Sequence, residues 1–357
     1  MSKGRLLYIG NLRDGGNGQD RMAIFRAQGY ETEGFDTRPY RGAGPRLLRS
    51  LTARGWGPAV LALNRKLDRR ARRGGFHLVI VDKGTVISPA TLRRLKTAAY
   101  RHIAVHYTPD AAFTDNRACN FFRTVPNYDL LVTTKPFEMD DYRRAGAREL
   151  LLVHQGYGPR IDPTLAQDVP ETLQSQVVFV GHCQPHYARL LQAVAQVAAL
   201  AIWGPGWPAY AVRHPWAQNV VRGAGLYGDD YARAIGGAHI ALGLLSKRIP
   251  ETTTTRSFEI PAMGTMLLAE RTADHLALFE EDREAVFFNG PKELQTKVQH
   301  YLSDAYARQR IAAAGQTKCH AAGYATADQF ARIIHWLDSQ LSAAPALQTP
   351  FQGDPCR

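Results

Sequence analysis

A guanidinium and a carboxylate three residues apart stand in the most informative segment of the chain, the block 250–270 (PETTTTRSFEIPAMGTMLLAE). Arg256 and Glu259 lie at the start of a predicted helix, one turn from each other. A carboxylate there can accept hydrogen bonds from both hydroxyls of a ribose, and a guanidinium matches the geometry of phosphate oxygens. The pair therefore predicts a nucleotide site; the alternative is a surface ion pair between residues i and i+3.

Two cations precede this block. Lys247 and Arg248 follow an apolar run at 238–242 and the turn behind it. Cations at the end of a strand can stabilise the charge that develops on a departing diphosphate, so that no metal ion is needed. We group both with Thr255 as candidate ligands of the same nucleotide. The alternative for Lys247 and Arg248 is a solvated loop.

A glycine and a histidine end the strand candidate at 176–181. Gly181 precedes a predicted helix, and a small residue at that point lets a phosphate approach the backbone amides. His182 then either faces the ligand or has a structural role. In the first half of the chain, His106 and Asp110 lie at the end of another strand candidate, 102–107. Asp110 could orient a hydroxyl substrate or act as its general base.

Motifs for tightly bound cofactors are missing from the sequence. There is no G-x-G-x-x-G fingerprint, and the four cysteines are too dispersed for a zinc ribbon or a disulfide framework. The acidic pairs 140–141 and 229–230 are typical of the first turn of a helix, where the dipole favours them. We therefore expect no metal and no cofactor. The cysteines favour a reducing compartment, and we expect a cytoplasmic protein.

The elements that must position these residues alternate between strands and helices. Continuous apolar runs are typical of strands buried on both faces of a parallel sheet. Eleven such runs occur, at 5–10, 76–81, 102–107, 128–134, 149–153, 176–181, 198–203, 219–222, 238–242, 264–269 and 285–289. A proline-rich segment, 156–175, interrupts the alternation and reads as a linker. The pattern predicts two doubly wound α/β domains with a ligand cleft between them.

The block 250–270 resembles the donor-binding segment of GT-B glycosyltransferases, and most closely the branch called CgeB-like or spore-maturation glycosyltransferases. The matching pattern is Arg-x-Phe-Glu, then Ala-x-Gly, then an apolar strand. Here it consists of Arg256, Phe258, Glu259, Ala262, Gly264 and the run 266–269. The resemblance covers nearly all of the C-terminal half. The N-terminal half is similar more loosely, through 79–84, 106–110 and 131–146.

The resemblance implies a fold of two Rossmann-like domains facing a central cleft. Residues 1–160 would form the acceptor domain and 161–330 the domain for a nucleotide diphosphate-sugar donor. A final helix at 326–341 would cross back onto the first domain, and 342–357 would be a frayed tail. The implied activity is transfer of a sugar to the hydroxyl of a glycan, lipid-linked or protein acceptor, in polysaccharide or glycoconjugate synthesis.

The same resemblance implies roles for single residues. Glu259 would bind the ribose and Tyr227 the base. Glu251 forms a Glu-x7-Glu spacing with Glu259, which in retaining enzymes of this fold places the first glutamate near the donor sugar; the alternative is a solvated loop carboxylate. The glycine-rich loop 11–18 would face the cleft through Asn11, Gly15 and Gly16, or its glycines simply make the turn. An inverting enzyme would need Asp110 as a base, whereas a retaining one can do without it.

Rival functions remain open. One is an epimerase or hydrolase of nucleotide sugars on the same fold. Another is a non-catalytic module that binds anionic polymers or membranes. The net charge of +12 favours an anionic partner, and the stretch 46–73 carries nine cations and one acid interleaved with leucine and valine. That pattern suits the surface of an anionic membrane or is a solvated helix face. Nucleic acid is a weaker alternative, because no nucleic-acid-binding motif is present.

Overall fold

Two purely parallel six-stranded sheets form the centre of the computed structural model, which describes residues 3–40, 46–114 and 117–343. The first sheet has the order β2-β1-β3-β4-β5-β6 and the second β12-β11-β10-β7-β8-β9. In the first domain the strands are β1 (Arg5–Gly10), β2 (Glu31–Asp36), β3 (Phe76–Asp82), β4 (Ala99–Thr108), β5 (Leu130–Thr133) and β6 (Leu150–Leu152). In the second they are β7 (Ser175–Val180), β8 (Leu200–Trp203), β9 (Val221–Gly223), β10 (Ala238–Gly243), β11 (Met266–Glu270) and β12 (Val286–Phe288).

Helices cover both faces of each sheet, as parallel strands require. The first domain contains α1 (Asn17–Ala27), α2 (Arg46–Ala53), α3 (Pro58–Arg73), α4 (Pro89–Ala98), α5 (Cys119–Thr124) and α6 (Met139–Arg144). The second contains α7 (Pro185–Ala195), α8 (Trp207–Ala211), α9 (Pro215–Gln218), α10 (Gly228–Gly236), α11 (Arg256–Ala262), α12 (Ala273–Leu278), α13 (Pro291–Ser303) and α14 (Ala305–Ala321). The last helix is α15 (Thr326–Ala343). The expected class, a two-domain α/β fold, is confirmed.

Eleven of the twelve strands coincide with the apolar runs in the sequence, and the exception is β2. Its sequence, ETEGFD, is polar, and no residue of it is fully buried. The strand pairs with β1 alone and forms the edge of the first sheet. An edge strand that faces solvent lacks the continuous apolar run of a central strand, so the sequence pattern missed it.

Helix α15 packs against the first domain, although it follows the second domain in the chain. Phe330 contacts Phe25 and Tyr107, with ring centroids 5.8 and 4.8 Å away. At the other end of the helix, the Asp338 carboxylate accepts a hydrogen bond from Lys3 at 2.6 Å. The crossing therefore gives the chain a second passage between the two domains, after the one that follows β6. Among the described residues, no helix is both long enough and apolar enough to span a bilayer. The frayed tail expected from 342 onward lies outside the described residues from 344.

Replacing Phe330 by alanine tests the packing of α15. The Phe330→Ala substitution removes a ring that is 1% exposed, and we expect it to lower the free energy of unfolding by about 3–5 kcal/mol. Tyr306→Ala on α14 is the control, because Tyr306 is 79% exposed and should cost less than about 0.5 kcal/mol. Urea unfolding measures both. Equal, small losses would show that α15 is not part of the first-domain core.

Candidate functional site

A cavity of about 700 Å³ lies between the two domains and is called here the large cleft cavity. The first domain contributes the loop before α1, including Gly15 and Gly16, and the second contributes Tyr227, Thr255 and Glu259. With Asp110, six of the residues selected from the sequence are thus brought to one cavity from segments about 200 residues apart. The ring of Tyr227 also lies under the guanidinium of Arg13, 5.8 Å away, so this contact bridges the two domains.

Glu259 lies in the first turn of α11 and faces the large cleft cavity. Its carboxylate accepts a hydrogen bond from the hydroxyl of Tyr231 at 2.6 Å. Burial raises the pKa of the Glu259 carboxyl above its ordinary value, against the lowering effects of the Tyr231 hydrogen bond and the nearby Arg256 charge. A partly desolvated carboxylate with room beside it is suited to accept hydrogen bonds from a diol.

A second cavity of about 400 Å³, the small cleft cavity, adjoins the first. It is lined by His182, Arg248 and Glu251 from the second domain and by Asp110 from the first. Asp110 lines the large cleft cavity as well, so the two cavities meet at this carboxylate. The small cavity combines cationic, carboxylate and imidazole side chains. It can therefore accommodate a charged and hydroxylated group such as a phosphorylated sugar.

An ion pair that crosses the cleft holds Glu251. The ammonium of Lys135, from the first domain, lies 2.7 Å from Glu251 Oε1. Side-chain exposure is 4% for Lys135 and 13% for Glu251. The second carboxylate oxygen of Glu251 accepts a hydrogen bond from the backbone amide of Ser246 at 3.3 Å. The carboxylate is therefore neutralised, oriented and shielded from solvent within the cleft.

Asp110 is positioned by the strand ends of the first sheet. It lies two residues after the end of β4, and its carboxylate forms a 2.6 Å ion pair with Lys83, which follows β3. Lys83 has a positive φ of 68°, which is uncommon for a residue with a side chain. The loop behind Asp110 is fastened by the buried carboxylate of Glu138, which accepts hydrogen bonds from the backbone amides of Ala112 and Phe113. Asp110 thus lies in the cleft on a supported loop.

Some predicted site residues lie beside the cavities rather than in their walls. Arg256 donates hydrogen bonds to the carbonyls of Val180 and Leu244, at 3.3 and 2.9 Å, and so ties the ends of β7 and β10 together. Lys247 pairs with Glu270 at 2.5 Å. Neither cation lines the large or the small cleft cavity. That Arg256 and Lys247 bind a diphosphate stays a prediction. Their positions outside the cavity walls do not favour it.

Gly181 and Asn11 shape the backbone near the cleft. A Cβ at Gly181 would lie 2.7 Å from the Phe179 ring, so a side chain cannot be accommodated there. The side-chain oxygen of Asn11 accepts a hydrogen bond from the Arg13 amide and so supports the turn of the glycine-rich loop. In this structure, both residues therefore influence the site by setting the path of the backbone.

His106 is a core residue, which corrects its prediction as a catalytic group. Its ring is 0% exposed and lies between Phe121 and Tyr128, with centroids 4.8 and 5.1 Å away. Its Nε2 is 3.0 Å from the carbonyl oxygen of Lys83. Because strand side chains alternate between faces, His106 points to the helical layer, whereas the loop after the strand carries Asp110 into the cleft.

Several residues of the cleft escaped the sequence analysis, among them Lys83, Lys135 and Gln155. Lys83 and Lys135 come at or just after the ends of predicted strands, in VIVDK and LVTTK. Ligands bind at the carboxyl ends of strands in such sheets, so this placement was a usable signal for both. Gln155 lines both cleft cavities from the segment after β6, and no motif marks it. Within the described ranges, no group of three or more His, Cys, Asp or Glu side chains is arranged to hold a metal ion.

Residues 184–335 match a family model described as glycosyl transferase-like. This match extends from α7 into α15 and includes Arg248, Glu251 and Glu259. A sequence search of curated proteins finds no match. The family match therefore rests on the second domain.

Solved structures similar to the whole chain share its fold. The HepE protein of Anabaena, solved with UDP-glucose, is 15% identical, with a TM-score of 0.62, over 94% of this chain and 100% of that one. A glycosyltransferase of Rickettsia africae is 13% identical, with a TM-score of 0.65, over 96% and 100%. A Listeria monocytogenes protein described as a candidate UDP-N-acetylglucosamine 2-epimerase is 10% identical, with a TM-score of 0.56, over 96% and 97%. The GT-B architecture expected from the sequence is thereby confirmed.

Breaking the ion pair across the cleft should destabilise the protein. Lys135→Met leaves the shielded carboxylate of Glu251 without its cation, and we expect a loss of about 3–5 kcal/mol in the free energy of unfolding. The double variant Lys135→Met/Glu251→Gln should regain most of this loss because no unpaired charge remains. Arg143→Met, which breaks an ion pair of largely exposed side chains with Asp140, should cost less than about 1 kcal/mol. If the double variant were no more stable than Lys135→Met, Lys135 and Glu251 would not form a buried ion pair.

The core position of His106 should appear in the pH dependence of stability. Burial lowers the pKa of His106 from 6.5 to about 4. The unfolded chain therefore binds a proton that the folded chain excludes. Stability is lost as the pH falls from 6.5 towards 4, at up to about 1.4 kcal/mol per pH unit. His106→Phe should reduce this slope, whereas His335→Asn on the exposed side of α15 should not. Chemical unfolding between pH 4 and 7 measures the slopes, and identical slopes for His106→Phe and wild type would refute the assignment.

Proposed function

We propose that the protein transfers a sugar from a nucleoside diphosphate sugar to a hydroxyl of an acceptor, in the cleft between its two domains. The observation that carries this proposal is Glu259, a carboxylate in the first turn of α11 that faces a cavity large enough for a nucleotide. The glycosyl transferase-like match across 184–335 includes this residue. The similar HepE structures, which contain UDP or UDP-glucose, support the same class of donor.

The two cleft cavities suggest how the donor lies. We place the nucleoside in the large cleft cavity, with the ribose on Glu259 and the base towards Tyr227. The small cleft cavity would then receive the sugar and the diphosphate, beside Arg248 and His182. Glu251 would face the donor sugar from its ion pair with Lys135. These positions use side chains that line the cavities and no metal ion.

The acceptor would enter from the first domain. A third cavity of about 620 Å³, called here the first-domain cavity, shares Lys83 and Asp110 with the large cleft cavity. Its wall includes the cations Arg54 and Arg117. It also carries hydroxyl side chains from Thr37, Ser50, Thr85, Thr108 and Thr114. Such a wall suits a hydroxylated acceptor with negative charge, and Asp110 would orient its reacting hydroxyl towards the donor.

A role as an epimerase or hydrolase is the second candidate, since the Listeria protein shares the fold. Such an enzyme needs no acceptor site. The first-domain cavity, which meets the large cleft cavity at Asp110, could hold an acceptor. Its presence therefore favours transfer of the sugar over epimerisation or hydrolysis. We further propose a CgeB-like specificity and a role in polysaccharide or glycoconjugate assembly, on the basis of the Arg-x-Phe-Glu block.

Glu259→Gln tests the donor site. The neutral amide keeps the size of the side chain but loses the charge-assisted hydrogen bonds to the ribose, so UDP should bind about 1–3 kcal/mol more weakly. Isothermal titration with UDP measures the change, and thermal unfolding checks that the variant is folded. Glu171→Gln is the matched control, because Glu171 is exposed and lies outside both cavities. Equal affinities for wild type and Glu259→Gln would remove Glu259 from the donor site.

A further inference from the structure

The hairpin of α2 and α3 exposes large apolar side chains in one short segment. Leu51 is 36% exposed, Trp56 61% and Leu61 57%. Trp56 stands in the connection between the two helices, and Leu61 lies in the first turns of α3. The other exposed large hydrophobic residues of the described chain are scattered along it, at positions 100, 212, 227, 276 and 306. The hairpin therefore presents an apolar tip to solvent.

Helix α3 continues this tip into a cationic face. Its buried side is formed by Val60, Leu63, Leu67 and Ala71, which pack in the first domain. Its outer side carries Arg65, Lys66, Arg69 and Arg72, and all four are exposed. No hydrogen bond or ion pair joins these four side chains to another described residue.

The one acidic side chain of α3 does not neutralise the positive charge of the cations on the same helix. Asp68, the single acidic residue of α3, pairs at 2.6 Å with Arg94 of the neighbouring helix α4. Arg93 on α4 is also exposed. The outer surface of α3 and α4 therefore has a net positive charge next to the apolar tip. This combined surface, the tip with the cations of α3, is called here the basic hairpin.

We propose that the basic hairpin docks the protein onto an anionic lipid bilayer. Tryptophan and leucine partition into the boundary between headgroups and acyl chains, and arginine and lysine are attracted to anionic headgroups. Both features are needed, and both occur here on one hairpin. A nucleic acid would engage the cations but would leave Leu51, Trp56 and Leu61 in water, so the apolar tip favours the bilayer.

Docking in this way brings the first-domain cavity to the lipid. The hairpin itself supplies part of the wall of that cavity, through Ser50, Ala53, Arg54 and Leu63. Asp110 lies in the same wall. An acceptor carried by a membrane lipid could therefore reach Asp110 without leaving the bilayer. This last step rests on the proposed function, whereas the docking itself does not.

Cosedimentation with vesicles tests the docking, with the full chain and without any nucleotide. The wild type should bind phosphatidylcholine vesicles that contain about one-third phosphatidylglycerol, and should bind pure phosphatidylcholine at least about tenfold more weakly. The triple variant Arg65→Gln/Lys66→Gln/Arg69→Gln should bind the anionic vesicles about 100-fold more weakly, since each cation contributes about fivefold. Trp56→Ala should bind the anionic vesicles about tenfold more weakly than the wild type, and added salt should not restore this binding.

The matched control removes three exposed cations from the second domain. Arg189→Gln/Arg213→Gln/Lys292→Gln changes the net charge by the same amount and should bind anionic vesicles like the wild type. Circular dichroism melts establish that each variant is folded. Equal losses in the two triple variants, or a wild type that does not bind anionic vesicles, would overturn the proposal. The proposal would also be overturned if the wild type bound short duplex DNA and not vesicles, and if Trp56→Ala bound that DNA as well as the wild type does. A failure of UDP, GDP, CDP, ADP and dTDP alike to bind would refute the donor site alone.

Discussion

The direction of the strands is the constraint on which this structure depends. Every ladder in both sheets is parallel, so all strands of a sheet end at the same edge. The two edges face each other across the cleft. Lys83, Asp110 and Lys135 follow β3, β4 and β5, and His182 and Arg248 follow β7 and β10. Polar side chains that are remote in sequence are thus collected at one place while the strands themselves remain apolar.

Contacts across the cleft keep the two edges opposed. The buried pair of Lys135 and Glu251 joins the first sheet to the loop before α11. Arg160, in the connection between the domains, pairs with Asp20 of α1 at 2.6 Å. Helix α15 begins at Thr326 in the wall of the large cleft cavity, returns to the first domain and adds an apolar contact there. A cleft of this kind can shield a donor from water while leaving the first-domain cavity open to an acceptor.

The sequence predicts the interior of this protein better than its edges and its side-chain partners. Strands buried on both faces produce apolar runs, so the central strands were predictable, whereas the polar edge strand β2 was not. The place of Glu259 at the start of a short helix was predictable because it follows from local sequence, and the residue lines the large cleft cavity. His106 was misjudged because its neighbours, Phe121 and Tyr128, come from other elements of the fold and not from its own strand. The cross-domain partner of Glu251 is likewise a property of the assembled fold, and no local pattern contains it.

The central claim is that the cleft binds a nucleoside diphosphate sugar. A thermal-shift screen of the wild type against UDP, GDP, CDP, ADP and dTDP, each with and without its common sugars, tests it most directly, because a ligand that binds the native state raises the melting temperature. The account predicts a clear shift with one base and a larger shift when the correct sugar is attached. No shift with any of these ligands at millimolar concentration would contradict it.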